Sequence, residues 1–358
     1  MEEEGQKYSK APISNPMSQE DLFFSEHLTE TSSKLLLFDL PPELLTELEN
    51  RSLHLGGEAN SEAIISGSQS SFLIRKSETT NSLLILEDNI VHKISHDIYL
   101  CEKIIPPLHQ IYGLLNESPY TSDDIKRKKV YSYMELAEKV QASDSEIKDY
   151  LKKINAFEFR GYWRIFDEEY RIEVLKNIMC KLMEKDWPDV IVRLVSQEFP
   201  EIPYEILLAL LKTIGNIDRD TFIADKLKVY QICAHDLFNT HNEYLKDEFE
   251  TAFKNLANMI VYRKYINTSL SIEEILEGIA VYRIKNYSSS VKYLNKYQIS
   301  YNLEERLNSL FSIKPRWTEK ELKVYLTDVS IISLPQLLLR YTKKIMEGSV
   351  VLYTSKLN

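Results

Sequence analysis

Two spacings of apolar residues divide the chain. From Lys34 to about residue 90 the apolar runs are short and strand-like; behind them apolar positions recur every three or four residues. Leu35 to Phe38 is an apolar run too short for a helix, ended by Pro41-Pro42, which open a short helix over Leu44, Leu45 and Leu48. Leu53 to Gly56, Ala63 to Ile65, Phe72 to Lys76 and Leu83 to Leu86 read as brief strands, with Thr79-Thr80-Asn81 as the turn between the last two. A β layer of roughly 55 residues is marginal as an isolated core. The consecutive apolar residues Leu83-Leu84-Ile85-Leu86 ask for burial on both faces, and the chain offers too few strands to close a barrel. Either partner chains complete this sheet or the protein's own helices cover it.

Met1 to Thr31 is polar and aperiodic, and is expected to be a disordered tail. From Asp97 to Leu115 the pattern turns helical around Pro106-Pro107, and Glu117 to Lys129 reads as a linker carrying Lys126-Arg127-Lys128-Lys129. Tyr133, Leu136, Ala137 and Val140 then make one helical stripe; Ser143 with Glu146 makes a capping box; Ile147, Tyr150, Leu151 and Ile154 make the next stripe. Phe157 to Phe166 alternates around Gly161 as a hairpin would. This order, helix, helix, hairpin, is that of a winged helix. Trp163 is either a core anchor beneath the wing or an exposed aromatic contact.

Helices follow at Glu168 to Met183, Val190 to Val195, Ile206 to Leu211 and Leu227 to Phe238, whose leucine density argues for burial. A second helix-helix-hairpin pattern has Phe249, Phe253 and Leu256, a capping box at Ser271 with Glu274, and strands Val281 to Ile284 and Val291 to Leu294 turning at Ser288-Ser289-Ser290. A third has a capping box at Thr318 with Glu321, then a helix carrying Leu334, Leu337, Leu338, Tyr341 and Ile345 inward and Arg340, Lys343 and Lys344 outward. Gly348 stops that helix, and Val350 to Tyr353 is a wing strand. The expected fold class is α+β: a tail (1–31), a small β-barrel-type domain completed by partner chains (32–90), a helical linker (91–129), and tandem winged helices over 130–185, 186–300 and 301–358.

Charge separates the two ends. Residues 1–100 carry 7 Lys+Arg against 17 Asp+Glu, whereas residues 301–358 carry 9 against 6, within a chain of net charge −10. An acidic front and a mildly basic back suggest different partners. The three cysteines form no CxxC pair, so neither a disulfide framework nor a zinc ribbon is encoded. No apolar run approaches the ~20 residues of a membrane span, and the acidic Met1-Glu2-Glu3-Glu4 is unlike a signal peptide. Catalytic signatures are missing as well: no GxxxxGK[ST], GxGxxG or GxSxG occurs, and the His92/His96 pair has Lys93 where a zinc protease needs Glu. The expectation is a non-enzyme with no metal and no cofactor.

Asn308-Ser309-Leu310-Phe311-Ser312-Ile313, Arg316-Trp317-Thr318-Glu319 and Val351-Leu352-Tyr353 resemble the C-terminus of the Dcc family, named for defective sister chromatid cohesion. Gln141-Ala142-Ser143 with Glu146-Ile147, and Gly161-Tyr162-Trp163-Arg164-Ile165, resemble the family's middle. The resemblance implies a nuclear, non-catalytic subunit of an alternative replication factor C clamp loader containing the chromosome-transmission-fidelity subunits. That machine acts on the sliding clamp PCNA, engages DNA polymerase epsilon and supports sister chromatid cohesion. On this reading Leu35, Leu36, Leu37, Phe38, Ile74, Leu84 and Leu86 join the large loader subunit's tail and the small chromosome-transmission-fidelity subunit in a shared barrel. Arg160, Tyr162 and Arg164 would meet the polymerase, and Arg316, Arg340, Lys343, Lys344 and Lys356 would meet DNA phosphates. The alternative is a winged-helix transcription regulator; a scaffold whose winged helices bind only proteins stays open beside both.

Overall fold

The computed structural model describes residues 22–24, 35–50, 53–57, 62–87, 89–122, 129–185, 190–260, 270–285, 288–330 and 332–356. The front of the chain comprises β1 (Phe23–Phe24), β2 (Phe38–Asp39), α1 (Pro42–Glu49), β3 (His54–Gly56), β4 (Ile64–Ser66), β5 (Ser71–Glu87) and β6 (Ile90–Ile104). Its strands form one sheet in the order β1-β6-β5-β4-β3, with β2 also paired to β6. The sheet is open: no closed barrel forms among the described residues. Its spine is the long antiparallel hairpin of β5 and β6, and both β1 and β2 run parallel to β6.

Three expectations are corrected here. Thr79-Thr80-Asn81 is not a turn but an irregularity inside β5, between Glu78 and Leu83, because its threonines suit a strand and the chain reverses only between Glu87 and Ile90, with Asn89 at φ 64°. The stretch from Asp97 is not helical up to Ile104; it is β6, held by β5, and the helix α2 (His109–Asn116) begins only past Pro106-Pro107. Phe23 and Phe24, inside the expected tail, pair with Ile90 and Val91. Apart from Leu22, the rest of that tail, and Lys126-Arg127-Lys128, lie outside the described residues.

The sheet's own core is small. Leu44 of α1 packs on Ile65 and Phe72, with Leu40, Leu53, Ile74 and Cys101 partly buried around them. Next come α3 (Tyr133–Val140), α4 (Asp144–Lys153), β7 (Phe157–Phe159) and β8 (Tyr162–Arg164), a helix-helix-hairpin order. Both helices open on capping boxes, Ser132 with Glu135 and Ser143 with Glu146. The second box also holds the sheet. Ser71 Oγ donates to the Glu146 carboxylate at 2.6 Å and accepts the Ser143 N–H at 3.0 Å, while Ser143 Oγ donates to the same carboxylate at 2.7 Å. Sheet and helix pair are therefore joined through one carboxylate, at a serine that is fully buried.

The middle is a deep core built from α5 (Glu168–Lys185), β9 (Val190–Ile191), α6 (Val192–Glu198), α7 (Tyr204–Ile214), β10 (Gly215–Asp218), β11 (Thr221–Ala224), α8 (Lys226–Thr240), β12 (Glu243–Leu245) and α9 (Lys246–Ile260). The β9–β11 sheet is an addition to the sequence reading, which has helix over Val190 to Val195 and no strand between Leu211 and Leu227. Gly215 makes its hairpin possible, since a Cβ there would lie 2.2 Å from the Ile223 carbonyl oxygen.

After α10 (Ile272–Ile275) the strands β13 (Ala280–Lys285) and β14 (Ser288–Tyr293) pair with each other, and β14 also pairs with β12. Ser288, Ser289 and Ser290 are thus strand residues rather than the turn. The chain closes with α11 (Leu303–Ile313), α12 (Glu319–Leu326), α13 (Leu334–Tyr341), β15 (Thr342–Glu347) and β16 (Val350–Ser355). Trp317 is fully buried at their centre, edge-on to Tyr325 at 5.8 Å, and its backbone bridges to Tyr353. The expected long helix is shorter than its apolar stripe. It ends at Tyr341, Thr342 Oγ1 turns back to the Leu338 carbonyl at 2.6 Å, and residues 343–347 gain a full ladder with β16 across Gly348, φ 62°. Lys343, Lys344 and Ile345 therefore stand on a strand.

Candidate interaction surfaces

Along β5 and β6, Leu84 lies opposite Ile94, and strand alternation puts Leu86 on the same face as Leu84. All three are more than a third exposed, as are Phe23 and Phe24 beside them. Leu36 also points to solvent. The other residues assigned to this surface are tied inward. The Leu35 carbonyl accepts from the Lys93 ammonium, the Leu37 carbonyl accepts the Tyr99 N–H at 2.8 Å, and Phe38 stacks on Tyr99 at 5.2 Å. Ile74 is half-buried, packed against the sheet's own small core. Phe23, Phe24 and Ile94 are exposed apolar residues absent from the sequence-based assignment, and the local period along 90–104 gives no signal for them.

At the β7–β8 hairpin the three assigned residues part company. Arg160, at φ 54°, and Tyr162 are exposed, with the Arg160 guanidinium 4.9 Å from the Phe159 ring centre. Arg164 is corrected to a structural residue: it is buried, donates to the Ser118 carbonyl at 3.1 Å and sits over the Tyr120 ring at 5.6 Å. Its contacts with Ser118 and Tyr120, not strand alternation, bury it, since Tyr162 two residues earlier is exposed. Trp163 takes the anchor role, half-buried against Tyr131 and its neighbours, with its backbone N–H on the Tyr131 carbonyl at 2.8 Å.

The C-terminal cations differ in how freely they face solvent. Arg316 Nη1 holds both oxygens of Glu347 at 3.2 Å, and Lys356 Nζ donates to the Leu339 carbonyl at 2.5 Å. Arg340 lies over the Tyr341 ring at 5.3 Å. Among the described residues no carboxylate pairs with Arg340, Lys343 or Lys344, and all three are exposed. Lys343 and Lys344, being consecutive on β15, project from opposite faces of the hairpin. The exposed apolar residues Leu339, Met346 and Val350 stand among them.

Among the described residues no group of three or more His, Cys, Asp and Glu is placed to hold a metal ion, and no helix is long and apolar enough to cross a membrane. His92 and His96 lie on β6 rather than on a helix. His92 Nε2 approaches the Glu87 carboxylate at 3.6 Å.

The family model described as Sister chromatid cohesion protein Dcc1 matches residues 35–326, from β2's approach through α12, with α13 and the last hairpin beyond the matched span. The Sister chromatid cohesion protein DCC1 of Homo sapiens is 26% identical over 353 residues, covering 89% of this chain and 88% of the human protein. Its Xenopus laevis counterpart is 22% identical over 378 residues, covering 95% of each chain. A Dictyostelium discoideum protein named Probable sister chromatid cohesion protein DCC1 is 25% identical over 171 residues, 46% of this chain and 45% of its own.

Proposed function

Because the chain belongs to the Sister chromatid cohesion protein Dcc1 family, and because its front sheet leaves an apolar face in solvent, we propose that it is a non-catalytic adaptor subunit. It works in the nucleus, within an alternative clamp loader that acts on PCNA and supports sister chromatid cohesion. The observation that carries this reading is the shared face of Leu84, Leu86 and Ile94, built on a sheet whose own core is only a few residues deep. A monomeric protein has no reason to hold such a face open, and added strands from the large loader subunit's tail and the small chromosome-transmission-fidelity subunit would cover it. At the other end, Arg340, Lys343 and Lys344 on α13 and β15 contact DNA phosphates, and Arg160 with Tyr162 on the β7–β8 hairpin offers a contact for DNA polymerase epsilon. Tethering then raises the loader's effective concentration at the fork.

Co-purification from nuclear extract tests the assembly. Wild-type chain should retain loader subunits at moderate salt, and Leu84→Asp/Leu86→Asp should lose them while staying folded. A stable lone monomer in that extract would favour the transcription-regulator reading instead. For DNA, three phosphate contacts predict a slope of log affinity against log salt of about −3; an affinity indifferent to salt would sink that part of the proposal.

A further inference from the structure

A cleft of about 890 Å³ lies where α4, α5, α7 and α8 meet residues 277–279 and 295–297, away from both the front ribbon and the last hairpin. Many of the charges around it are already matched. Glu168 accepts two bonds from Arg171, at 3.1 and 2.6 Å, and faces His235 at 3.5 Å; Lys153 pairs with Asp328 at 2.6 Å. Four lysines on four separate segments are left: Lys152 on α4, Lys212 on α7, Lys228 on α8 and Lys296 after β14. Among the described residues no carboxylate stands within ion-pair distance of any of them, and only Asp149 and Glu277 remain on the lining as unmatched acids. Elsewhere Lys76, Lys103, Lys148, Lys176, Lys185 and Lys314 find acidic partners, whereas these four lysines from separate segments meet around one concavity without one.

We propose that this cleft is an anion site for a ligand carrying several phosphates in a row, the chemistry shared by a nucleoside triphosphate and by the 5′-phosphorylated end of a nucleic-acid strand. Unpaired cations gathered in a concavity focus positive potential and raise the local concentration of anions. The donors are separated point charges rather than forked guanidinium groups, which suits phosphate oxygens spread along a chain better than one planar carboxylate. The volume falls in the ~300–1,000 Å³ range of small-ligand pockets. Lys296 gives a second reason: burial pushes its ammonium below the usual lysine range, so an anion beside it would restore what desolvation removes. Tyr112, Phe157 and Tyr297 on the same lining offer aromatic surface for a base attached to the phosphates.

The test is calorimetric titration of the full-length chain with inorganic tripolyphosphate as the probe, in wild type and in Lys212→Ala/Lys228→Ala. The expected result is saturable one-to-one binding that weakens at least about tenfold in the double variant, equivalent to about 1.4 kcal/mol. Lys320→Ala/Lys323→Ala, exposed on α12 and outside the cleft, should bind as wild type does. Unfolding midpoints confirm that the variants fold, as they should with Lys212 exposed and Lys228 only half-buried. Competition then names the source: displacement by ATP points to a free nucleotide, and displacement by a 5′-phosphorylated single strand points to a strand end. Absence of saturable heat, wild-type affinity in the cleft variant, or loss of binding in the α12 variant would each overturn the proposal.

Discussion

Two leucine-rich runs of similar composition meet opposite fates. Ile206, Leu207, Leu210 and Leu211 of α7 are all fully buried, whereas Leu84 and Leu86 of β5 are 42% and 46% exposed. The first run lies in a helix wrapped by α5, α6 and α8, so apolar residues around much of its circumference find neighbours. The second lies in a ribbon with one small core at its base, where Val91 is buried but Leu84, Leu86 and Ile94 stay more than a third exposed. Hydrophobicity alone therefore does not say where the core is; it says what surface must be covered, by this chain or by another.

The largest effects should come from breaking the deep core. Leu210→Ala should destabilise the isolated chain by about 2–5 kcal/mol, read from urea unfolding. Leu84→Ala/Leu86→Ala should cost clearly less, about 1 kcal/mol for the two together, since each is only about half-buried. If the ribbon variant instead weakened the isolated chain as the core variant does, this chain would already be covering the ribbon and the contrast would fail.

His235 sharpens the contrast by pH. It is buried in the middle region, facing Glu168 and Arg171 and edge-on to Tyr293, and burial pushes its pKa down to about 4 against the opposing pull of Glu168. The folded state thus binds a proton less readily than the unfolded chain, whose histidine titrates near ~6.5. Stability from this group is present above that value and is lost as pH falls toward about 4, on the order of 3 kcal/mol. The stability of His235→Phe relative to wild type should rise by about 3 kcal/mol as pH falls across that window, because the variant removes this titration and leaves the rest.

The junction between the two regions comes next. Glu146→Ala removes an acceptor shared by Ser71 and Ser143, and should cost about 1–3 kcal/mol. Amide exchange should quicken at Ser71 to Leu73 as well as at the start of α4; quickening in α4 alone would mean the sheet is held by other contacts.

What was legible in the sequence was local. The boxes Ser143–Glu146, Ser271–Glu274 and Thr318–Glu321 are present because each needs only residues three apart. The misreadings share a cause. Ile94, Ile98, Cys101 and Ile105 are spaced as on a helix, yet 90–104 is a strand because β5 supplies its ladder; likewise Ile345 continues a helical stripe but is captured by β16. Pairing with a distant segment leaves no mark in the local period. The site suffered in the same way. Arg164 and Arg160 look equivalent in sequence, and only the hairpin's packing on Tyr120 separates the buried one from the exposed one.

The smallest effect concerns Arg316, and it ranks the C-terminal cations. Its ion pair with Glu347 is more than half exposed at both ends, so Arg316→Ala should alter stability by no more than about 0.5 kcal/mol. Its charge is already balanced by Glu347, whereas Lys344 has no carboxylate partner among the described residues. Fluorescence anisotropy on duplex DNA at several salt concentrations should therefore show the slope shrinking by about 1 in Lys344→Ala and hardly changing in Arg316→Ala. Glu347→Ala should do the reverse, freeing Arg316 and tightening binding. Equal losses in Lys344→Ala and Arg316→Ala would mean that DNA displaces Glu347 from the arginine, and that the pair is a switch between an internal and an external anion.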